Sequence, residues 1–276
     1  MSAPTEEGVY DDIDEAVYHA DLDSLSSSAA RELLEVSPAE WMFARQNPRT
    51  TVPDHYLLGS AVHTLVLGAG ADISEVAADD WRTAKARKRK ADAIKAGRIP
   101  LLTEDVLRAE DMAQAVYDHP VAGRLFSTGR PEVSAYARDE QTGEMLRARA
   151  DWIHTAPTGR RVGVDLKTAD SANPVLFAKE VAKFGYFCQQ PWYEDVFDTA
   201  GEPLDAFLFV VVAKTCPHLV SVMEIRPEAV DLGRIRNRRA IDLWARCRAS
   251  GQWPTYGADI HQIDLPPWTY KQEAYQ

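Results

Sequence analysis

The chain has 276 residues, 45% hydrophobic and 26% charged, a composition that supplies a sizeable core for one large or two small globular domains. No run of about 18 apolar residues is present to span a membrane, and the first ten residues have neither a basic nor an apolar signal region, so the expectation is a cytoplasmic protein without membrane association. The formal net charge of -11 argues against a nucleic-acid partner, but the first 23 residues hold eight acids and no Lys or Arg, which leaves 31 basic and 34 acidic residues elsewhere.

In chain order, residues 1–23 read as an acidic tail, disordered or laid over the surface, and residues 24–276 as a single domain. Leu25-Ser-Ser-Ser28 before an apolar periodic run marks a helix start, with Ser28 at its N-terminus. Ser37-Pro38-Ala-Glu40 has the cap, first-turn proline and capping-box acid of a second. Tyr56 to Leu67 is strongly apolar and too short for a bilayer, hence a buried helix with Gly59 and His63 on one face. His63 alone reads as a satisfied core histidine.

Trp81 to Arg98 is rich in Lys and Arg and reads as a helix or a mobile loop, its Lys85 to Lys90 run being either a solvated face or a contact to DNA backbone. Thr103 opens a helix to Tyr117, and a short one follows Pro120. Strands are expected over Pro131 to Ala137, Met145 to Ile153 and Val162 to Thr168. Asn173-Pro174 caps a helix to Lys183, Gly185 breaks it, and a second piece runs toward Phe197. Ala206 to Lys214 and Leu219 to Ile225 form a hairpin, and Pro227 to Arg248 a long amphipathic helix. After Gly251 the chain reads as extended and packed on the body. Cys188, Cys216 and Cys247 have no metal or disulfide spacing and read as small buried hydrophobes.

Strict strand alternation puts Val162, Val164 and Leu166 in the core and Gly163, Asp165 and Lys167 on the other face. On the preceding strand it groups Arg147, Arg149 and Asp151, with Leu146, Ala148, Ala150 and Trp152 behind. Pairing of these strands brings Asp151 and Asp165 close enough to share a cation, the arrangement that magnesium-assisted phosphodiester hydrolysis needs. The alternative is an exposed hairpin with an Asp165–Lys167 surface salt bridge.

These residues, with Gly59-Ser-Ala-Val-His63 (GxxxH), Glu132, Arg147-Ala-Arg-Ala-Asp151, Asp165-Leu-Lys167 and Gln189-Gln-Pro-Trp-Tyr193 (QxxxY), resemble the RecE-like (exonuclease VIII-like) phage recombination nucleases of the PD-(D/E)xK superfamily, relatives of lambda exonuclease. The resemblance runs from Tyr18 to Trp268. It implies an α/β restriction-endonuclease-like core, a central mixed β-sheet flanked by helices with an N-terminal helical portion.

It further implies that Asp151, Asp165 and the Leu166 carbonyl ligate Mg²⁺, for which Mn²⁺ would substitute, and that Lys167 orients water and offsets phosphate charge. Glu132 is the additional acid for a second ion or water. His63 contacts the metal site or scissile phosphate, and Gln189 and Tyr193 hold active-site water or DNA backbone. Pro191 between them predicts a kink. Ser28 is a candidate 5′-phosphate ligand or an ordinary cap; Arg147 and Arg149 contact backbone phosphate or brace the acids. With three cysteines in unsuitable places, no iron–sulfur cluster is expected.

The implied activity is 5′-to-3′ digestion of double-stranded DNA ends by a ring-shaped homo-oligomer, with a single-strand annealing partner. An endonuclease of the same superfamily and a non-catalytic phage DNA-binding protein are the alternatives.

Overall fold

Alternating and continuously apolar segments assemble into a seven-stranded mixed sheet, seen in a computed structural model that describes residues 2–48, 54–267 and 269–270. Trp268, the end of the sequence resemblance, lies outside the described residues. The acidic segment contributes β1 (Gly8–Tyr10) and α1 (Glu15–Ala20), and is followed by β2 (Leu25–Ser26), α2 (Ser27–Leu33) and α3 (Pro38–Gln46). It is not a disordered tail, because β1 pairs antiparallel with a central-sheet strand and Tyr18 is buried. Ser26, not Ser28, caps α2 by accepting from Ala29 N, whereas Ser37 and Glu40 form the expected capping box of α3.

Next come α4 (Asp54–Leu67), β3 (Ile73–Val76), α5 (Ala84–Lys95), β4 (Ile99–Leu102), α6 (Thr103–Asp118) and α7 (Ala122–Phe126). The Lys- and Arg-rich stretch is therefore a helix. β3 and β4 pair in parallel as a second small sheet that sequence reading missed, since Ile-Ser-Glu-Val is too short and mixed to signal a strand.

The chain then forms β5 (Arg130–Arg138), β6 (Met145–Thr155), β7 (Arg161–Ala169), α8 (Pro174–Phe184), α9 (Tyr186–Thr199), β8 (Ala206–Ala213), β9 (Val220–Met223) and α10 (Pro227–Ser250). The main sheet runs β1-β5-β6-β7-β8-β9; β7 and β8 are parallel, joined by the crossover through α8 and α9. Cys188 and Cys247 are buried as expected, but Cys216 is exposed because it lies in the β8–β9 turn. After α10, Trp253 stacks on Trp41 and Tyr256 bonds Glu40, so this part of the tail does pack on the body.

One core lies between the sheet and α4, α6 and α7, centred on Val164, Leu166, Val210 and Val212. The opposite one packs Val133, Ala135, Ala148 and Ala150 against α2, α9 and α10. Strict alternation along β6 fails at one point. Leu146, Ala148 and Ala150 share the second core with Ile153, while Trp152 joins the first, so the phase shifts by one residue at Asp151. Directly across on β5, Glu132 takes φ 51°, and Glu132–Asp151 is missing from a ladder that is otherwise in register on both sides.

A second irregularity sits in α9. Pro191 leaves the Phe187 carbonyl without its helical N–H partner. The helix nevertheless runs on, because α10 packs directly over the defect: a Cβ built on Gly233 would lie 1.9 Å from Phe187 O, and Asn237 Nδ2 donates to Cys188 O at 2.9 Å. The expected kink is not a break, and Gln189 and Tyr193 stay on one helix.

Gly233→Ala is expected to cost about 3 kcal/mol, as overpacking of a helix contact does; an unchanged urea midpoint would refute the close-approach role. Arg147→Ala, which strips the partner from buried Asp21 (Arg147 Nη1–Asp21 Oδ2 3.4 Å), is expected to cost about 3–5 kcal/mol in the same measurement.

Candidate active site

β6 has different partners along one edge: β2 at Leu146 and Arg147, and β7 from Trp152 to Thr155. Between these pairings its edge opens into a cleft, and Asp151 stands at the fork. Its Oδ2 accepts from Leu166 N at 2.8 Å, so a carboxylate replaces the ladder bond where β6 and β7 part. N–H and C=O of one strand residue project to the same edge, so the Leu166 carbonyl also faces this cleft.

Asp165 and Lys167 share the cleft-side face of β7, as alternation predicts. The hairpin is not exposed: β7 is flanked by β6 and β8, and Asp165 is 2% accessible. Asp165 Oδ1 accepts from Gln189 Nε2, and Oδ2 lies 2.5 Å from Lys167 Nζ as an ion pair. Apart from this ammonium, Oδ2 has no donor. Burial acts to lower the Lys167 pKa, but Asp165 and Asp151 outweigh it and raise the value, fixing the ammonium charge. Its Nζ also lies 4.7 Å over the Tyr186 ring.

His63 comes from α4, with Nδ1 3.6 Å from Asp151 Oδ2. It is a site residue with a partly exposed side chain, not a core histidine. The glycine of GxxxH has a physical reason, since a Cβ on Gly59 would stand 3.1 Å from Thr168 Oγ1; its absence lets α4 lie against β7. Tyr193 packs edge-on to Phe207 at 5.5 Å, and burial pushes its hydroxyl well above the ordinary range, so it stays a neutral donor.

Glu132 lies in the same cleft, 3.9 Å from Arg149 Nη1. Burial, then the charge of Asp151, push its carboxyl up to about 7. Asp151 is likewise raised, by burial and by Asp165, despite His63, Lys167 and the Leu166 N–H. A site that works against the ionisation of its own carboxylates is one where added positive charge is stabilising.

The two arginines part company. Arg147 is 3% accessible, bonds Ser24 Oγ at 2.8 Å, pairs with Asp21 and stacks on Tyr18, so it braces the N-terminal segment and is withdrawn from the cleft. Arg149 is buried too, donating to the Ile13 carbonyl and to Ser134 Oγ (2.9 Å) and lying 4.5 Å over Tyr18, but unlike Arg147 it lines the cleft. Ser28 is exposed in the first turn of α2 and borders the same cleft as Asp151. Sequence reading missed Tyr186 and Glu15. Tyr186 is one turn before Gln189 and follows from extending the QxxxY face backward, whereas Glu15 arrives only through docking of α1 and leaves no local signal.

The residues fit a hard divalent cation, because the carboxylates of Asp151, Asp165 and Glu132 and the Leu166 carbonyl offer oxygens into one cleft, and Asp165 Oδ2 has no donor apart from Lys167. Among the described residues no three His, Cys, Asp or Glu side chains already converge on one point, Lys167 standing against Asp165 instead. No described helix is long and apolar enough to cross a membrane.

Several solved structures align with the chain, two of them as follows. A crystal structure named "Putative exonuclease" from Eubacterium rectale superposes with a TM-score of 0.60 at 13% identity, covering 92% of this chain and 96% of that one, a likeness of fold. The structure of SSO0001 aligns with a TM-score of 0.30 at 14% identity over 68% of this chain and 85% of that one. No curated protein matches. Residues 26–266 match the family described as PDDEXK-like domain of unknown function (DUF3799), from the end of β2 into the C-terminal tail, which packs at Trp253 and Tyr256 and is exposed over 257–266, and including Asp151, Asp165 and Lys167. By that match, and by its mixed sheet with the acid, acid and lysine at the β6–β7 fork, the chain belongs to this PDDEXK-like family of the PD-(D/E)xK nuclease superfamily.

Proposed function

We propose that the protein is a Mg²⁺-dependent exonuclease that hydrolyses one strand of double-stranded DNA from its ends, 5′ to 3′, and leaves 3′ single strands for phage-type recombination. The observation that carries this reading is the meeting of Asp151, Asp165 and Lys167 at one cleft, with Gln189 holding the buried acid. The polarity, a ring-shaped homo-oligomer, a single-strand annealing partner and a cytoplasmic location are supported by the RecE-like resemblance, and the exonuclease class also by the name of the Eubacterium rectale fold relative.

Mg²⁺, or Mn²⁺ in its place, would be held by Asp151, Asp165 and the Leu166 carbonyl, with Glu132 beside them, and supplies a water acidic enough to attack phosphorus near neutral pH. The chain's own groups do the rest. Lys167, charged throughout the physiological range, holds the attacking water and offsets charge gathering on the phosphoryl oxygens. Gln189 holds Oδ1 of Asp165 and so fixes its rotamer, with Oδ2 turned to Lys167. His63 beside Asp151 would donate to the phosphate flanking the scissile bond, and Arg149, beside Glu132, would add positive charge to that side of the cleft.

End-labelled linear duplex, incubated with Mg²⁺ or EDTA, tests the reading. Asp165→Asn and Lys167→Ala are each expected to lower kcat by about 10²–10³-fold or more. Binding without metal-dependent hydrolysis by the wild type would sink the enzyme assignment, and equal cutting of closed circles would replace exonuclease by endonuclease.

Glu132 gives a pH signature. Its carboxyl is raised from 4.5 to about 7 in the folded, metal-free protein, so between these values the folded state binds a proton that the unfolded chain has released. Stability from this group is therefore present below about pH 4.5 and lost as pH rises toward 7. The metal-free Tm is expected to fall across that window, Glu132→Gln to flatten the fall, and Mg²⁺ to raise Tm more above the window than below it. Parallel Tm profiles for wild type and Glu132→Gln would contradict this.

A further inference from the structure

Residues 82–98 carry eight Lys and Arg against one acid, Asp92, a local charge of +7 in a chain whose net charge is -11. Most of them lie on α5, which Thr83 caps through its Oγ1 and which buries only Ala86 and Ala93 toward the body. Lys90 is turned inward. Its Nζ lies 4.8 Å over the Trp81 ring and 2.5 Å from Asp54 Oδ1, tying α5 to the first residue of α4. The remaining basic side chains of the helix, Lys85, Arg87, Lys88, Arg89 and Lys95, are exposed, and no acid pairs with them among the described residues.

An acidic protein that gathers unneutralised cations on one helix pays a self-repulsion, because like charges one turn apart are destabilising. A bound polyanion would relieve that repulsion. The helix is also placed with respect to the cleft. Asp54, its tether, begins α4, whose next turns supply Tyr56, Gly59 and His63 to the cleft wall, and Ile99, four residues after Lys95, lies in the same wall. The opposite wall presents Lys183 and Lys214. The basic helix thus flanks one mouth of a cleft whose acids, at its floor, would repel a phosphate chain lacking such support.

We infer that α5 is a DNA-backbone rail: its outward Lys and Arg bind phosphates of the duplex some way from the scissile bond and hold the substrate against the acidic cleft. The inference rests on the nuclease reading above. A twelve-residue helix is about 18 Å long, comparable to several phosphates of a duplex that carries one charge per ~1.7 Å of axis. Contacts of this kind are sequence-independent and reveal themselves through salt.

The experiment compares the full chain, Lys88→Gln/Arg89→Gln, and a control with the same charge change on exposed positions of α10, Arg239→Gln/Arg246→Gln. Binding of a labelled 30-base-pair duplex is followed by fluorescence anisotropy in EDTA across a salt series, so that no hydrolysis intervenes; kcat is measured separately with Mg²⁺ at saturating duplex. The α5 variant is expected to bind about tenfold or more weakly near 0.1 M salt, and its log Kobs against log salt slope to be shallower by about 1.8, near 0.9 per phosphate contact. The control is expected to keep affinity, slope and kcat within about twofold of the wild type, and the α5 variant to raise KM by more than it lowers kcat.

Equal slopes for wild type and the α5 variant would overturn the rail while leaving the nuclease reading intact, whereas a wild type that neither binds nor cuts duplex would remove both. Equal weakening by both variants would show a general charge effect and overturn it too. So would an α5 variant unchanged on DNA but released from vesicles containing phosphatidylserine, which would assign the helix to a membrane surface.

Discussion

Asp165 is buried, accepts a hydrogen bond from Gln189, and has Lys167 as the charge partner of its other oxygen; around this group the cleft is arranged. A carboxylate in such a position is expensive unless its charge is matched, and Asp151 and Glu132 in the same cleft add to the cost. The protein meets it by converging three elements. β7 supplies the acid and lysine, α9 brings the amide, and α4 brings His63 to Asp151. Local departures from regularity accompany this convergence: the phase shift at Asp151 in β6, Pro191 in α9, and Gly59 at the α4–β7 contact.

Of these departures the phase shift in β6 was the least legible. The strands and helices themselves followed from periodicity and caps, because β7 and β8 are apolar at alternate or continuous positions and Ser37-Pro38 has unambiguous cap chemistry. The Asp165–Lys167 face could also be read from period two. Strict alternation placed Trp152 on the wrong face of β6, because nothing local announces that Glu132 will take φ 51° and that the two strands will turn over together. The site acid Asp151 lies at that turnover, so the rule failed where the function is.

Charge reading had a different limit. Arg147 and Arg149 are two apart on one strand and looked equivalent; the N-terminal segment covers both with Tyr18, but it adds Asp21 and Ser24 to Arg147 and the Ile13 carbonyl to Arg149, and of the two Arg149 lines the cleft. Which arginine is withdrawn depends on contacts more than a hundred residues distant in sequence, the 123-residue separation of Ser24 and Arg147 among them. The same long-range docking turned an apparently separate acidic tail into strand β1 and delivered Glu15 to the cleft edge.

This docking has an electrostatic consequence. Residues 1–23 carry no cation of their own, and the charge of their acids is met in part by arginines of the body: Asp21 by Arg147, Asp11 by Arg130 and Asp23 by Arg248. The buried Asp21–Arg147 pair is desolvated and depends on its geometry, while the two exposed pairs add little individually. What remains is a surface of unequal character, acids concentrated near the N-terminal strand and the cleft floor, and unmatched cations concentrated on α5. Net charge is therefore a poor guide to this chain's partners, because a phosphate backbone responds to the field within about a Debye length, roughly 10 Å at 0.1 M salt, rather than to the sum over the molecule.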